Sequence, residues 1–127
     1  MTSNDSPIVP ERLHELLLEM RSRYGAALPP IQLTENGCSF ADEPAADGSV
    51  HDPERIDFLS GHLSALADAI RDGVDVRGYF VWSLLDNFEW SRGYEPRFGL
   101  VHVEYETQRR TPKDSFFWYR DRIAEHA

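Results

Sequence analysis

Two short stretches of the chain hold residue types that can do chemistry together. In "TENG", Thr34–Gly37, a carboxylate at Glu35 follows the short run "IQL" and precedes residues that tolerate a sharp turn. A carboxylate at the end of a strand can serve as nucleophile, general base or metal ligand. The plainer alternative is a solvated loop glutamate. The second stretch, "WSLLDNFEW", Trp82–Trp90, leads into a loop crowded with Phe88, Trp90, Tyr94 and Phe98, with Glu89 set among them. Sugar rings have apolar C–H faces and hydroxyl-bearing edges, so a site for them needs aromatic platforms and fixed polar acceptors. Trp82 can lie flat on such a face, Glu89 can accept two hydroxyl hydrogen bonds, and the Trp90 indole N–H can donate another. The plainer alternative here makes Trp82 a core strand residue and Trp90 a loop anchor. Together, one carboxylate amid aromatics and a second carboxylate opposite fit a small polyhydroxylated ligand.

The elements that would position these residues can be read from period and punctuation. A first helix is expected from Pro10 to about Tyr24, with Pro10 at its first position, Leu13, Leu16, Leu17, Met20 and Tyr24 on one face, and Gly25 as the stop. "IQLT", Ile31–Thr34, reads as a short strand, which puts Glu35 just past its end. The segment Cys38–His51, rich in Ala, Asp, Gly, Pro and Ser, reads as an exposed loop. The clearest helix starts at the N-cap candidate Asp52, with Pro53 first inside it. Ile56, Leu59, Leu63, Leu66 and Ile70 form its buried stripe, and Gly73 closes it. "VRGYFVWSLL" is a continuous apolar run, as in a strand covered on both faces of a parallel sheet. A long loop, Asp86–Phe98, follows. "GLVHVEYETQ" alternates like a hairpin arm. A last helix covers about Pro112 to Glu125, with Phe116, Tyr119 and Ile123 inward.

Strands joined through a helix run parallel, so both candidate stretches fall on one sheet edge, where α/β sheets and barrels place their sites. A closed barrel of this kind needs roughly 250 residues. The chain has 127, so it is expected to be one segment of a larger barrel.

Composition narrows the partners. The formal net charge of −9 argues against nucleic acid. No apolar run is long enough to span a bilayer, and the start "MTSNDSPIVPER" has neither the basic nor the apolar region of a secretory signal. Cys38 is the single cysteine, so no internal disulfide can form. A cytoplasmic setting is the expectation. The five histidines form no HxxxH or HExxH pair, and no metal site is expected.

With these residues in view, the chain resembles the C-terminal part of the family 1 glycoside hydrolases of β-glucosidase type. The matching blocks are "LTENG" at Leu33–Gly37, the long run "DPERIDFLSGHLSALADAIRDGVDVRGYFVWSLLDNFEWSRGYEPRFGLVHVEYETQRRTPKDS" at Asp52–Ser115, and "WYRD" at Trp118–Asp121. The match runs over 9–127 and leaves the polar stretch 1–8 unplaced. The resemblance implies a (β/α)8 TIM barrel, of which this α/β chain covers only the last two βα units and the helix before them. It implies a retaining glycosidase in which Glu35 is the nucleophile and attacks the anomeric carbon. Trp82 would stack under the glycone, Glu89 would bind its 4- and 6-hydroxyls, Trp90 its 3-hydroxyl, and Phe98 would line the pocket. No cofactor is implied. A carboxylate at the 6-position repels a 6-phosphate, so unphosphorylated β-glucosides, with galactosides or fucosides as relatives, are the expected ligands.

A retaining mechanism needs a second carboxyl group about 5–5.5 Å from the first. The family carries it in a TxNEP motif on an earlier strand, which these residues do not include. The segment is therefore expected to be inactive alone and to need the N-terminal part of the barrel, or to associate with itself. The alternative is a non-catalytic remnant that acts as an oligomerising or interaction module.

Overall fold

The computed structural model describes residues 7–126, so residues 1–6 of the unplaced stretch lie outside the described residues. Helix α1 spans Glu11–Tyr24. Pro10 sits one position earlier than expected, at the N-cap, already with helical dihedrals of φ −56° and ψ −34°. Its fixed φ suits that place and its missing N–H is not needed there. Gly25 takes φ 52° and ends the helix by returning its N–H to the Arg21 carbonyl, a left-handed conformation that favours glycine.

Strand β1, Ile31–Asn36, runs two residues further than expected and takes Glu35 into the strand itself. Helix α2, Pro53–Arg71, then leads to β2, Val76–Val81. The two strands pair in parallel, with Ile31 opposite Val76, Leu33 opposite Tyr79 and Asn36 opposite Val81. A second, antiparallel pair joins β3, Val101–Glu104, to β4, Arg109–Pro112. The expected hairpin arm is β3; its partner "RRTP" carries no strand pattern and is held by pairing alone. Helix α3 spans Asp114–Glu125.

Two apolar clusters hold these pieces. Leu17 of α1, Leu66 and Ala69 of α2, and Val74 pack with Ile31, Leu33, Val76 and Tyr79 of the parallel pair. Burying a leucine such as Leu17 or Leu66 contributes about 1.5–3 kcal/mol. Cys38, Phe58, Leu59 and Leu100 form the second cluster, with Phe40, Val81, Phe116 and Tyr119 against it.

The helical stripes differ from the expected ones. Leu16, Tyr24, Ile70 and Ile123 are exposed, because α1 and α2 pack through Leu17, Leu66 and Ala69 and the last helix through Phe116, Trp118 and Tyr119. The buried face of α2 is Arg55, Phe58, Leu59, His62, Ala65, Leu66 and Ala69. The segment after β1 is a loop, but it is not exposed throughout: Cys38, Ser39, Asp42 and Val50 are buried. Cys38 is pulled in by the second cluster and Asp42 by the cations described below. Nor is β2 covered on both faces. Phe80 is 55% exposed, since the helices cover one face of the pair, and the expected strand run stops at Val81, which leaves Leu84 beyond it 60% exposed. A groove of about 540 Å³ lined by Tyr79, Phe80, Leu84, Phe116, Tyr119 and Ile123 runs beside β2.

Candidate functional site

The carboxyl ends of β1 and β2 lie side by side. The Trp82 N–H donates to the Asn36 carbonyl at 2.9 Å, and the Tyr79 hydroxyl donates to Asn36 Oδ1 at 2.7 Å. A Cβ on Gly37 would lie 1.7 Å from the Trp82 carbonyl oxygen. The "NG" after Glu35 therefore does more than turn the chain: Asn36 ties the strands by side chain and backbone, and Gly37 lets Trp82 come into contact. Glu35 and Trp82 leave neighbouring strands at the same edge, and both are exposed. The Trp82–Ser83 peptide is cis.

The loop after β2 is closed at its base. Ser83 N–H donates to the Phe98 carbonyl at 3.2 Å, and Leu100 N–H returns to the Ser83 carbonyl at 2.9 Å. Phe98 is thus held next to the chain that leaves Trp82. The Asp86 carboxylate accepts from Gly99 N–H at 2.9 Å, from Val103 N–H at 3.3 Å and from Arg97 Nη1 at 2.9 Å. A Cβ at Gly99 would meet the Asp86 nitrogen at 2.2 Å, so this close approach requires glycine.

At the loop tip, Glu89 N–H donates to the Gly93 carbonyl and Arg92 N–H to the Glu89 carbonyl, both at 2.7 Å. Trp90 opens the short turn Trp90–Arg92 with φ 35°. The aromatics divide into two groups. Phe88, Tyr94 and Tyr105 pack in series, with ring centroids 5.3 and 4.5 Å apart, and the Arg97 guanidinium lies 4.8 Å over Tyr105. These rings hold the loop. Trp90 does not; it is 85% exposed, which removes the reading of Trp90 as an anchor. Of the five expected site residues, Glu35, Trp82 and Phe98 are gathered by the strand ends and loop base. Glu89 and Trp90 sit on the tip of that same loop.

Sequence reasoning missed a buried ion network under the loop. Arg55 donates to Asp42 at 2.7 Å and pairs with Asp52; Lys113 Nζ donates to Asp42 at 2.6 Å and to Asp86 at 3.0 Å. Asp52 does not cap its own helix. Its carboxylate instead accepts from the backbone N–H and hydroxyl of Ser115, at the start of α3. A signal was available: Arg55 lies in register with Leu59, His62, Leu66 and Ala69 at helical spacings of three and four, so a cation had to be buried on that stripe.

Burial alone would lower the Arg55 pKa, but Asp42 and Asp52 overcome it and raise it. Burial pushes the Cys38 thiol up to about 12, which keeps it protonated and poor as a nucleophile. Burial, helped by the positive charge of Arg97, holds His102 below its usual range. Among the described residues no group of three or more His, Cys, Asp or Glu could hold a metal ion. The strand ends offer an exposed carboxylate, Glu35, on one strand and an exposed indole, Trp82, just past the end of its neighbour.

The family model described as Glycosyl hydrolase family 1 matches residues 1–127. "Beta-glucosidase A" of Thermotoga maritima is 50% identical over 112 residues, covering 88% of this chain and 25% of that protein. The "Bifunctional beta-D-glucosidase/beta-D-fucosidase" of Bifidobacterium breve is 51% identical over 124 residues, 94% of this chain and 26% of its own length. Among solved structures, a psychrophilic beta-glucosidase from Micrococcus antarcticus superposes with a TM-score of 0.95 at 50% identity, covering 98% of this chain and 26% of that one. The Thermotoga maritima beta-glucosidase in complex with glucoimidazole gives 0.93 at 46% identity, over 97% of this chain and 28% of that one. The chain spans about a quarter of the length of these relatives.

Proposed function

The chain belongs to glycosyl hydrolase family 1, and from that membership we propose that it carries the nucleophile and one wall of the glycone pocket of a retaining β-glucosidase. The family's barrel would be completed by residues outside these 127, of which this chain supplies the last two βα units and the helix before them. Glu35 attacks the anomeric carbon and the aglycone leaves, giving a glycosyl ester. Water then attacks the same carbon and releases the sugar with its configuration retained. The general acid, which protonates the leaving oxygen, comes from the completing part. Trp82 stacks on the sugar face, Glu89 accepts from the 4- and 6-hydroxyls, Trp90 donates to the 3-hydroxyl, and Phe98 lines the wall. A second carboxylate at the 6-position disfavours a phosphorylated sugar. The chemistry needs no cofactor.

The observation that supports this best is the joint at the strand ends, where a glycine two residues after Glu35 lies against the Trp82 carbonyl. That joint sets the proposed nucleophile and the proposed stacking platform at the ends of adjacent parallel strands. The complex of a relative with glucoimidazole is consistent with a saccharide ligand. A second reading draws on the exposed Phe80 and Leu84 and the groove beside them: a non-catalytic module that associates through this face.

Covalent labelling separates the two. The dinitrophenolate of a 2-deoxy-2-fluoro-β-glucoside departs without acid help, so the absence of the general acid does not prevent labelling. The expected result is a single adduct mapped to Glu35, absent in Glu35→Gln and slowed in Glu89→Gln. An adduct elsewhere, or equal small effects of both substitutions, contradicts the assigned roles.

A further inference from the structure

The two walls of the candidate site come from separate stretches of chain. One is the end of β1 with Glu35, continued by the segment that reaches Asp42. The other is the loop with Glu89 and Trp90, anchored at Asp86. Lys113 stands between them. Its ammonium donates to Asp42 Oδ2 at 2.6 Å and to Asp86 Oδ1 at 3.0 Å, and its side chain is fully buried. Its backbone N–H is held by the Leu100 carbonyl at 2.9 Å, which anchors the main chain from which the stem departs. Without the ammonium, two buried carboxylates would face each other and repel. With it, their separation is set by one cation that touches both. A parallel tie runs from Arg55, which donates to Asp42 and to the Arg97 carbonyl, each at 2.7 Å.

We propose that Lys113 is a positioning residue for the sugar pocket: by bridging Asp42 and Asp86 it holds the Glu89–Trp90 loop at a fixed distance from the strand end that bears Glu35. It touches no substrate and acts through these two carboxylates. The consequence for specificity rests on the glycosidase reading; the consequence for loop position does not. The bridge is specific to an ammonium. A guanidinium is wider and planar, so Lys113→Arg does not restore it.

The test uses the 127-residue chain. Lys113→Met keeps the stem and removes the charge. Should that variant not fold, Lys113→Met with Asp42→Asn leaves the remaining charges paired, Asp52 with Arg55 and Asp86 with Arg97, while cutting the bridge. The first readout is the set of native-state NMR resonances. Amides of Glu89–Gly93 and the Trp90 indole N–H are expected to shift and broaden, while amides near Leu17 and Leu66 stay in place. A role in stability alone lowers the urea midpoint and leaves the loop resonances where they were, which would overturn the proposal.

The second readout compares Glu35 labelling by the fluoro-glucoside and by its 6-deoxy analogue. This ratio of rates does not depend on the folded fraction. It is expected to fall on the order of tenfold, as small misplacements of substrate contacts do; an unchanged ratio counts against the bridge. Failure of the unmodified chain to label at Glu35 means that the site does not form without the rest of the barrel, and the loop resonances then decide Lys113 on their own.

Discussion

Gly37 is where the two strand ends touch, and its role is a matter of a single missing atom. A Cβ there would meet backbone, the Trp82 carbonyl, which cannot swing aside. Gly37→Ala is expected to cost about 3 kcal/mol by overpacking, read as a lowered urea midpoint. The loop aromatics make a contrasting pair. Trp90→Ala removes an exposed side chain and is expected to change stability by less than about 0.5 kcal/mol. Tyr105→Ala removes a ring that contacts Tyr94 and Arg97 and is expected to cost about 2 kcal/mol. Two histidines titrate in opposite senses. His51 is raised by its hydrogen bond to Asp114, so its contribution is present below the ordinary histidine pKa and is lost as pH rises through the folded value. His102 is lowered by burial and by Arg97, so protonation favours the unfolded chain and stability is lost as pH falls through the ordinary value. Ring-proton NMR titration is expected to place the His51 midpoint above that of a free histidine peptide and the His102 midpoint below it.

At the scale of elements, α2 and α3 are joined by a cap that belongs to neither alone. Asp52 precedes α2, yet its carboxylate holds Ser115 at the start of α3 and also faces Arg55. Ser115→Ala is expected to cost about 1.5–3 kcal/mol, the worth of a hydrogen bond to a charged group. Asp52→Ala leaves buried Arg55 short of a partner and is expected to cost about 3–5 kcal/mol. A double-mutant cycle between them is expected to show strong coupling. This cap also marks where sequence stops being sufficient. The order helix, strand, helix, strand, loop, helix was legible because Pro53, Gly25 and the leucine periodicity are local signals. So was the gathering of Glu35 and Trp82, which follows from parallel pairing. The destination of Asp52 was not legible, because an aspartate before a proline at a helix start reads as a local cap, and the competing partner lies 63 residues away. The same holds for Asp42, placed in a stretch whose Ala, Gly and Pro content reads as solvent-exposed. The "NG" after Glu35 looks like a turn and suggests a strand that ends before it, whereas Asn36 still pairs with β2.

Considered whole, the molecule is lopsided. One face of its parallel pair is covered by helices, while Phe80, Leu84 and the groove beside β2 are open. Exposed apolar patches and free strand edges drive association. The 127-residue chain is expected to bind an apolar-surface dye and to sediment above its monomer mass, and both signals are expected to fall when the rest of a family barrel is supplied. A dye-silent monomer with a cooperative melt is the contrary outcome. The ion network adds a constraint of time. A ribosome makes Asp42, Asp52 and Arg55 well before Lys113 and Ser115. The early carboxylates therefore emerge in excess over their cations and stay hydrated until the last helix arrives to neutralise them. The loop that carries Glu89 and Trp90 is already made by then, but its footing is not. The shape of that loop is consequently a late product of synthesis, set when α3 docks rather than when Glu89 and Trp90 are translated.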